Sequence, residues 1–174
     1  MADKGLIVFF SWVGNTAAVM REAQEVTGFD VVEIKERVPR RKGNIPRAGF
    51  DSMRGYLSPL EPMDFAMRGY DRVLLGAQVW AGRISPPIKS FLAQADFSGK
   101  RVWVVVTRSD PKKQPEAIDF IRAQIEAKGG TFMDGITINT QVNSVVPLEK
   151  FQAELHEWLK RNGLWGTPAS SQPS

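Results

Sequence analysis

The chain has 174 residues, a hydrophobic fraction of 43% and a formal net charge of +4, values that suit one soluble domain with a full core. With no cysteine and one histidine, it excludes disulfides, thiolate metal sites, iron–sulfur ligation, a cysteine nucleophile and a histidine-rich metal centre. The positive charge mildly favours acidic partners and is too small to signal nucleic acid by itself. No apolar run approaches the ~20 residues that span a bilayer. The first strand begins by Gly5 or Leu6, which leaves no room for a signal peptide, so a cytoplasmic protein without membrane contact is expected.

The apolar run Leu6 to Phe10 is the first strand. It stops abruptly at Ser11, and a helix is predicted from about Thr16 to Thr27, with Val19, Ala23 and Val26 at helical spacing and Gly28 as a stop. Between them lies Ser11-Trp12-Val13-Gly14-Asn15-Thr16. A strand that ends this way delivers the free N–H groups of the next helix to the sheet edge. With the helix dipole and the hydroxyls of Ser11 and Thr16, they suit a phosphate. Val31 to Lys35 reads as a second strand. The least regular part, Arg37 to Tyr70, holds four prolines, and Phe50, Met53, Leu57 and Leu60 are expected to give a short helix its core-facing stripe. The basic run Arg40-Arg41-Lys42 reads as a solvated loop.

Arg72 to Gln78 is the third strand, and Gln78-Val79-Trp80-Ala81-Gly82-Arg83 is read as the loop after it. Ser85-Pro86-Pro87 gives an N-cap with proline at the first helical position, and Ile88, Phe91 and Leu92 form that helix's buried stripe. A fourth strand, Val102 to Val106, precedes the loop Thr107-Arg108-Ser109-Asp110-Pro111. A helix with Ile118, Ile121 and Ile125 and a fifth strand, Phe132 to Ile138, follow. The last helix runs from about Pro147 to Arg161. Residues 1–166 are read as a single domain and 167–174, rich in Ser and Pro, as a disordered tail.

Strand–helix alternation predicts an α/β fold with a three-layer, doubly wound, five-stranded parallel sheet. Strands one, three and four are continuously apolar, as expected with helices on both faces. Strands two and five carry polar residues and read as edges. The order 2-1-3-4-5 follows, with its switch point between strands one and three, where ligands bind outside the carboxyl ends. The three loops Ser11–Thr16, Gln78–Arg83 and Thr107–Pro111 converge there. The first loop lacks the lysine and first glycine of a P-loop and the three glycines of a dinucleotide fingerprint. A single phosphate beside the aromatic face of Trp80 suits a flat ring on a phosphorylated chain.

Ser11-Trp12-Val13-Gly14-Asn15-Thr16 resembles the flavodoxin phosphate loop, [ST]-x-[ST]-G-N-T. Gly76 to Gly82, followed by Pro86-Pro87-Ile88-Lys89-Ser90-Phe91-Leu92, is similar to the second flavin loop and following helix of bacterial flavodoxin-like proteins. The resemblance is clear over about residues 5–107 and follows the whole chain in element order, in the short-chain branch. It implies noncovalent FMN, with the phosphate on Ser11, Val13, Gly14, Asn15 and Thr16 and the ring beside Val79, Trp80, Ala81 and Gly82. Val13 stands where a hydroxyl residue is usual, a loss worth roughly 1.5–3 kcal/mol at a charged acceptor. Trp12 is bulky for this loop. Arg108, Ser109 and Asp110 replace the usual glycines or tyrosine of the third loop.

The function implied is a redox protein, most simply an electron carrier with a redox partner protein of acidic character. FMN would do the chemistry, and Arg83 and Arg108 facing the ring would raise its potential. Two alternatives share the fold. One is an NAD(P)H-dependent flavin or quinone reductase using Arg40, Arg41 and Lys42 for phosphates. The other is a binding module that has lost FMN.

Overall fold

In a computed structural model, residues 4–41, 44–110 and 116–166 are described. The tail expected at 167–174, Lys42 and Pro111 lie outside them. The elements are β1 (Gly5–Phe9), α1 (Asn15–Thr27), β2 (Asp30–Glu33), α2 (Ile45–Met53), β3 (Arg72–Trp80), β4 (Arg83–Ile84), α3 (Pro86–Gln94), β5 (Arg101–Arg108), α4 (Glu116–Ala127), β6 (Thr131–Asn139) and α5 (Gln152–Arg161). The parallel order β2-β1-β3-β5-β6 is the expected one, with β5 and β6 as the fourth and fifth predicted strands. The addition is β4, a two-residue strand antiparallel to the end of β3.

Side chains alternate across the sheet with the period of two that extended backbone imposes. Leu6, Val8, Leu75, Val104 and Val106 face one core, with Ile88, Phe91, Ile121 and Ile125 from α3 and α4. Ile7, Phe9, Leu74, Trp103 and Val105 face the other, with Val19, Met20, Leu155 and Trp158 from α1 and α5. This second core closes over β3 at Gly76. A Cβ there would lie 2.7 Å from Met20 Cγ and 2.8 Å from Phe9 Cβ, so α1 approaches the strand only because the side chain is missing. Among the described residues, no helix is long and apolar enough to cross a membrane.

Two expectations are corrected. The strands β3 and β5 run on past their expected ends at Gln78 and Val106, through Val79–Trp80 and Thr107–Arg108. Pairing with β4 and β6 supplies the hydrogen bonds there. In α2 the apolar stripe faces outward. Phe50, Met53 and, beyond the helix, Leu57 are exposed, while Ala48, Asp51 and Ser52 are buried and Leu60 joins the core. The inversion follows from Arg40, which is largely buried rather than solvated. Its guanidinium pairs with Glu36 at 2.9 Å and with Asp51, and donates to Ser58 Oγ at 3.1 Å. Burying this cluster turns the apolar side of the helix outward. Burial alone would raise the Asp51 carboxyl, but hydrogen bonds from Arg40 and Arg47 outweigh it and hold the group below its ordinary value.

Candidate functional site

The turn between β1 and α1 is built around Gly14, the N-cap of the helix, whose φ of 104° falls in the left-handed region. The first helical bond joins Ala18 N–H to the Gly14 carbonyl at 2.9 Å. The N–H groups of Asn15, Thr16 and Ala17 therefore have no intrahelical acceptor and, with the helix dipole, favour an anion. Ser11 Oγ is buried and without a hydrogen-bond partner among the described residues. An unmatched buried hydroxyl costs about 1–3 kcal/mol, which a ligand oxygen would offset.

Thr16 and Asn15 also have structural duties. The Thr16 hydroxyl shares a hydrogen bond of 2.7 Å with that of Thr107, tying α1 to the end of β5. The Asn15 side chain donates to the carbonyls of Gln141 and Ser144, at 2.7 and 3.0 Å, and accepts from Val146 N–H at 2.7 Å. It clamps the segment after β6 over the turn, so its part in anion binding falls to its backbone N–H. That segment approaches closely, because a Cβ on Gly14 would come within 3.1 Å of Val145 Cγ2.

At the end of β3, Ala81 and Gly82 have φ of 49° and 74° and turn the chain into β4. Two positive values make a type I′ hairpin, and the left-handed conformation costs Ala81 about 1–2 kcal/mol. Trp80 is buried rather than open. It packs against Trp12, with ring centroids 5.1 Å apart and planes inclined by 59°, and against the edge of Phe10 at 6.0 Å, with the Arg40 guanidinium 5.4 Å from its ring. Trp12 N–H donates to Gln78 Oε1 at 3.1 Å, fixing the turn to β3. A flat ring between two aromatic planes needs about 7 Å, twice the carbon contact distance, so none fits between these indoles.

Beside this pair lies a cavity of about 350 Å³, walled by Trp12, Val13, Gln78, Val79, Trp80, Ala81, Arg108 and Ser109, within the range of ligand sites. Two of its walls were not among the residues singled out as cofactor-binding, Ile45, Pro46, Ala48 and Gly49 from α2, and Thr140, Gln141 and Val142 after β6. The only available signal for the latter was a polar run beyond an edge strand. Eight of the expected site residues thus meet in one cavity. Ser11 instead lines a separate cleft with Ile34 and Glu36. Gly82, Arg83 and Asp110 line a neighbouring cavity of about 490 Å³ with Lys89 and Glu116, so Arg83 does not face the Trp80 wall as expected. There burial and the nearby Arg83 hold the Lys89 ammonium below its ordinary value. Arg108 does reach the first cavity, but as a buried group. Its Nε donates to the Asp110 carbonyl at 3.0 Å and its Nη2 lies 3.3 Å from the Asp110 carboxylate. Among the described residues no cluster of His, Asp and Glu is arranged to hold a metal ion.

A sequence model of flavodoxin matches residues 4–149. The chain belongs to the flavodoxin family. Among solved structures it resembles a putative flavoprotein of Bacteroides uniformis, with TM-score 0.75 and 18% identity over 92% of this chain and 99% of that one. It also resembles a Lactobacillus acidophilus flavoprotein solved in complex with FMN, with TM-score 0.58 and 21% identity over 78% and 93% of the two chains. A third is oxidised flavodoxin 1 of Bacillus cereus, with TM-score 0.55 and 16% identity over 92% and 95%. A comparison with curated proteins finds no match. The flavodoxin-like architecture is thereby shown.

The donor set of this flavodoxin-family chain fits a phosphorylated flavin. The unmatched buried hydroxyl of Ser11 and the free N–H groups of Asn15, Thr16 and Ala17 belong to one turn, and Trp12 of that turn lines both the Ser11 cleft and the aromatic-walled cavity that holds the buried Arg108.

Proposed function

We propose that this protein binds FMN noncovalently and acts as an electron carrier. The observation that carries the reading is the unpartnered, buried Ser11 hydroxyl in the β1–α1 turn, the turn whose Trp12 and Val13 line the Trp12–Trp80 cavity. The Ser11 hydroxyl and the backbone N–H groups of residues 13–16 would hold the phosphate. Trp12, Val13, Trp80, Ala81, Gly49 and Val142 would enclose the ring and exclude water. When bound, FMN supplies one- and two-electron chemistry, and the protein tunes it through the charges and hydrogen bonds it presents. Arg108 is the cation in that wall, buried itself and paired at 3.3 Å with the half-exposed Asp110 carboxylate, which solvent screens. It favours the anionic reduced form and raises the potential, so a carrier of higher potential than an acidic site would give is expected.

Carrier and reductase readings part at the arginines. The reductase reading uses Arg40, Arg41 and Lys42 for a nicotinamide dinucleotide phosphate; of these Arg40 is already neutralised by Glu36 and Asp51, Arg41 is exposed, and Lys42 lies outside the described residues. The test is anaerobic mixing of FMN-loaded protein with NADPH. A carrier keeps its yellow colour over minutes without a separate reductase. Bleaching within seconds would replace the carrier reading with the reductase.

A further inference from the structure

The segment from 37 to 60 presents an unusual surface. Val38, Phe50, Met53, Tyr56 and Leu57 are all strongly exposed, Val38 by 78% and Met53 by 63%. Burial of the Arg40 cluster turns this side of α2 outward, and each large apolar side chain left there forgoes about 1.5–3 kcal/mol of burial that a covering partner recovers. The charges on the same surface have one sign. Arg37, Arg41, Arg47 and Arg54 are exposed. The two carboxylates beneath them, Glu36 and Asp51, are buried and spent on Arg40 and Arg47. Between positions 37 and 60 no other acidic residue occurs in the sequence. Arg54 lies 5.3 Å from the centre of the Phe50 ring, its charge held beside an apolar contact.

The surface also has a socket. A groove of about 350 Å³ opens among Val38, Arg41, Arg47 and Tyr56, with Trp12 and Ala48 also lining it. Trp12 and Ala48 line the cavity described above as well, so one indole and one methyl group are shared by the two. A recess that takes a side chain marks a protein partner, whose anchor residue fills a central pocket within an apolar patch. A bilayer surface, which favours a smooth apolar stripe, makes no use of such a recess.

We infer that the exposed face of α2 with Val38, Tyr56 and Leu57 is the docking surface for an acidic protein, which inserts an apolar anchor flanked by carboxylates into the groove over Trp12. The complementarity is with carboxylates because arginine forms bidentate, charge-assisted bonds with them. A partner seated there lies one indole away from the cavity. That the contact carries electrons rests on the flavin reading; the docking itself does not.

The probe is a set of capped hexapeptides, Glu-Glu-Leu-Phe-Glu-Glu, its lysine counterpart and a Glu-Glu-Gly-Gly-Glu-Glu control, titrated against tryptophan fluorescence with and without FMN. The acidic apolar peptide is expected to bind at least tenfold more tightly than either other peptide. Binding should weaken with salt and fall at least fivefold in the double variant Arg41→Glu/Arg54→Glu. Both substituted side chains are exposed, and an unchanged urea midpoint confirms that the variant folds. Met53→Ser, a second exposed change, is expected to weaken the acidic peptide by about threefold without altering the charge. Equal affinity for acidic and basic peptides, unaltered affinity in both variants, or no binding up to millimolar peptide would overturn the proposal. So would binding only to phosphatidylglycerol vesicles, or a dimer in sedimentation that Met53→Ser abolishes; these assign the face to a membrane or to a second copy. If FMN fails to bind while the peptide preference persists, the flavin reading falls and the docking surface stands.

Discussion

Replacing Asn15 with alanine separates the structural and ligand-binding parts of the β1–α1 turn. The side chain is 1% exposed and makes three hydrogen bonds to backbone groups of residues 141, 144 and 146. Val146 is itself buried, so its N–H, once deprived of Asn15 Oδ1, has no water to turn to and costs about 1–3 kcal/mol. Gln141 and Ser144 are exposed, and their carbonyls can take water, which limits each to roughly 0.5 kcal/mol. The sum is about 2–4 kcal/mol, or about 5–15 °C in Tm for a chain of this size. The assay is urea unfolding followed by tryptophan fluorescence, with hydrogen exchange at the Val146 amide. Asn15→Asp keeps the acceptor but sets a buried carboxylate oxygen against the two carbonyls, so it should cost at least as much as the alanine variant. A loss under about 0.5 kcal/mol in the alanine variant, or an aspartate variant as stable as wild type, would refute the assignment of Asn15 as the clamp.

Ser11→Ala should weaken FMN by about 10- to 100-fold, the worth of one hydrogen bond to a charged oxygen, and leave riboflavin unaffected. Isothermal titration reads both, and parallel losses would place Ser11 outside the phosphate site. Arg108→Gln should lower the two-electron midpoint potential of bound FMN, since a buried positive charge favours the anionic reduced flavin. Spectroelectrochemical titration decides it, and an unchanged or raised potential refutes the electrostatic role. The depressed Asp51 carboxyl links the α2 cover to pH. A lowered folded value means that its stabilisation is complete above the unfolded carboxylate value of about 4 and disappears as pH falls through the folded value. Wild type should therefore lose its urea-stability advantage over Asp51→Asn between pH 5 and pH 2, and an advantage independent of pH would contradict the buried pairing.

The sheet order was legible because β1, β3 and β5 are continuously apolar while β2 and β6 are mixed, and that contrast reports which strands are covered twice. The turn at Ser11–Thr16 was legible because a strand, a short polar turn with glycine and a helix occur in that order. The reach of β3 and β5 beyond Gln78 and Val106 was not, since it depends on pairing with β4 and β6, which lie further along the chain. The outward stripe of α2 misled for an energetic reason. Periodicity finds an apolar face but not its direction, and direction here is set by Arg40 pairing with Glu36 and Asp51, which a pattern of apolar spacing does not register. Asn15 shows a third limit. Its position in the loop matches the family's motif, yet its side chain serves the segment 126–131 residues further along.

The most direct measurement is the ratio of FMN to riboflavin affinity for the flavin-free protein, followed by quenching of flavin fluorescence. The two ligands differ by the phosphate alone. FMN bound tightly, with riboflavin at least about 100-fold weaker, equivalent to some 2.7 kcal/mol, is the result expected if Ser11 and the α1 N-terminus hold a phosphate beside the Trp12–Trp80 cavity. Equal affinities, or no binding of either, would mean that the turn is only a helix cap and that the cavity serves another ligand.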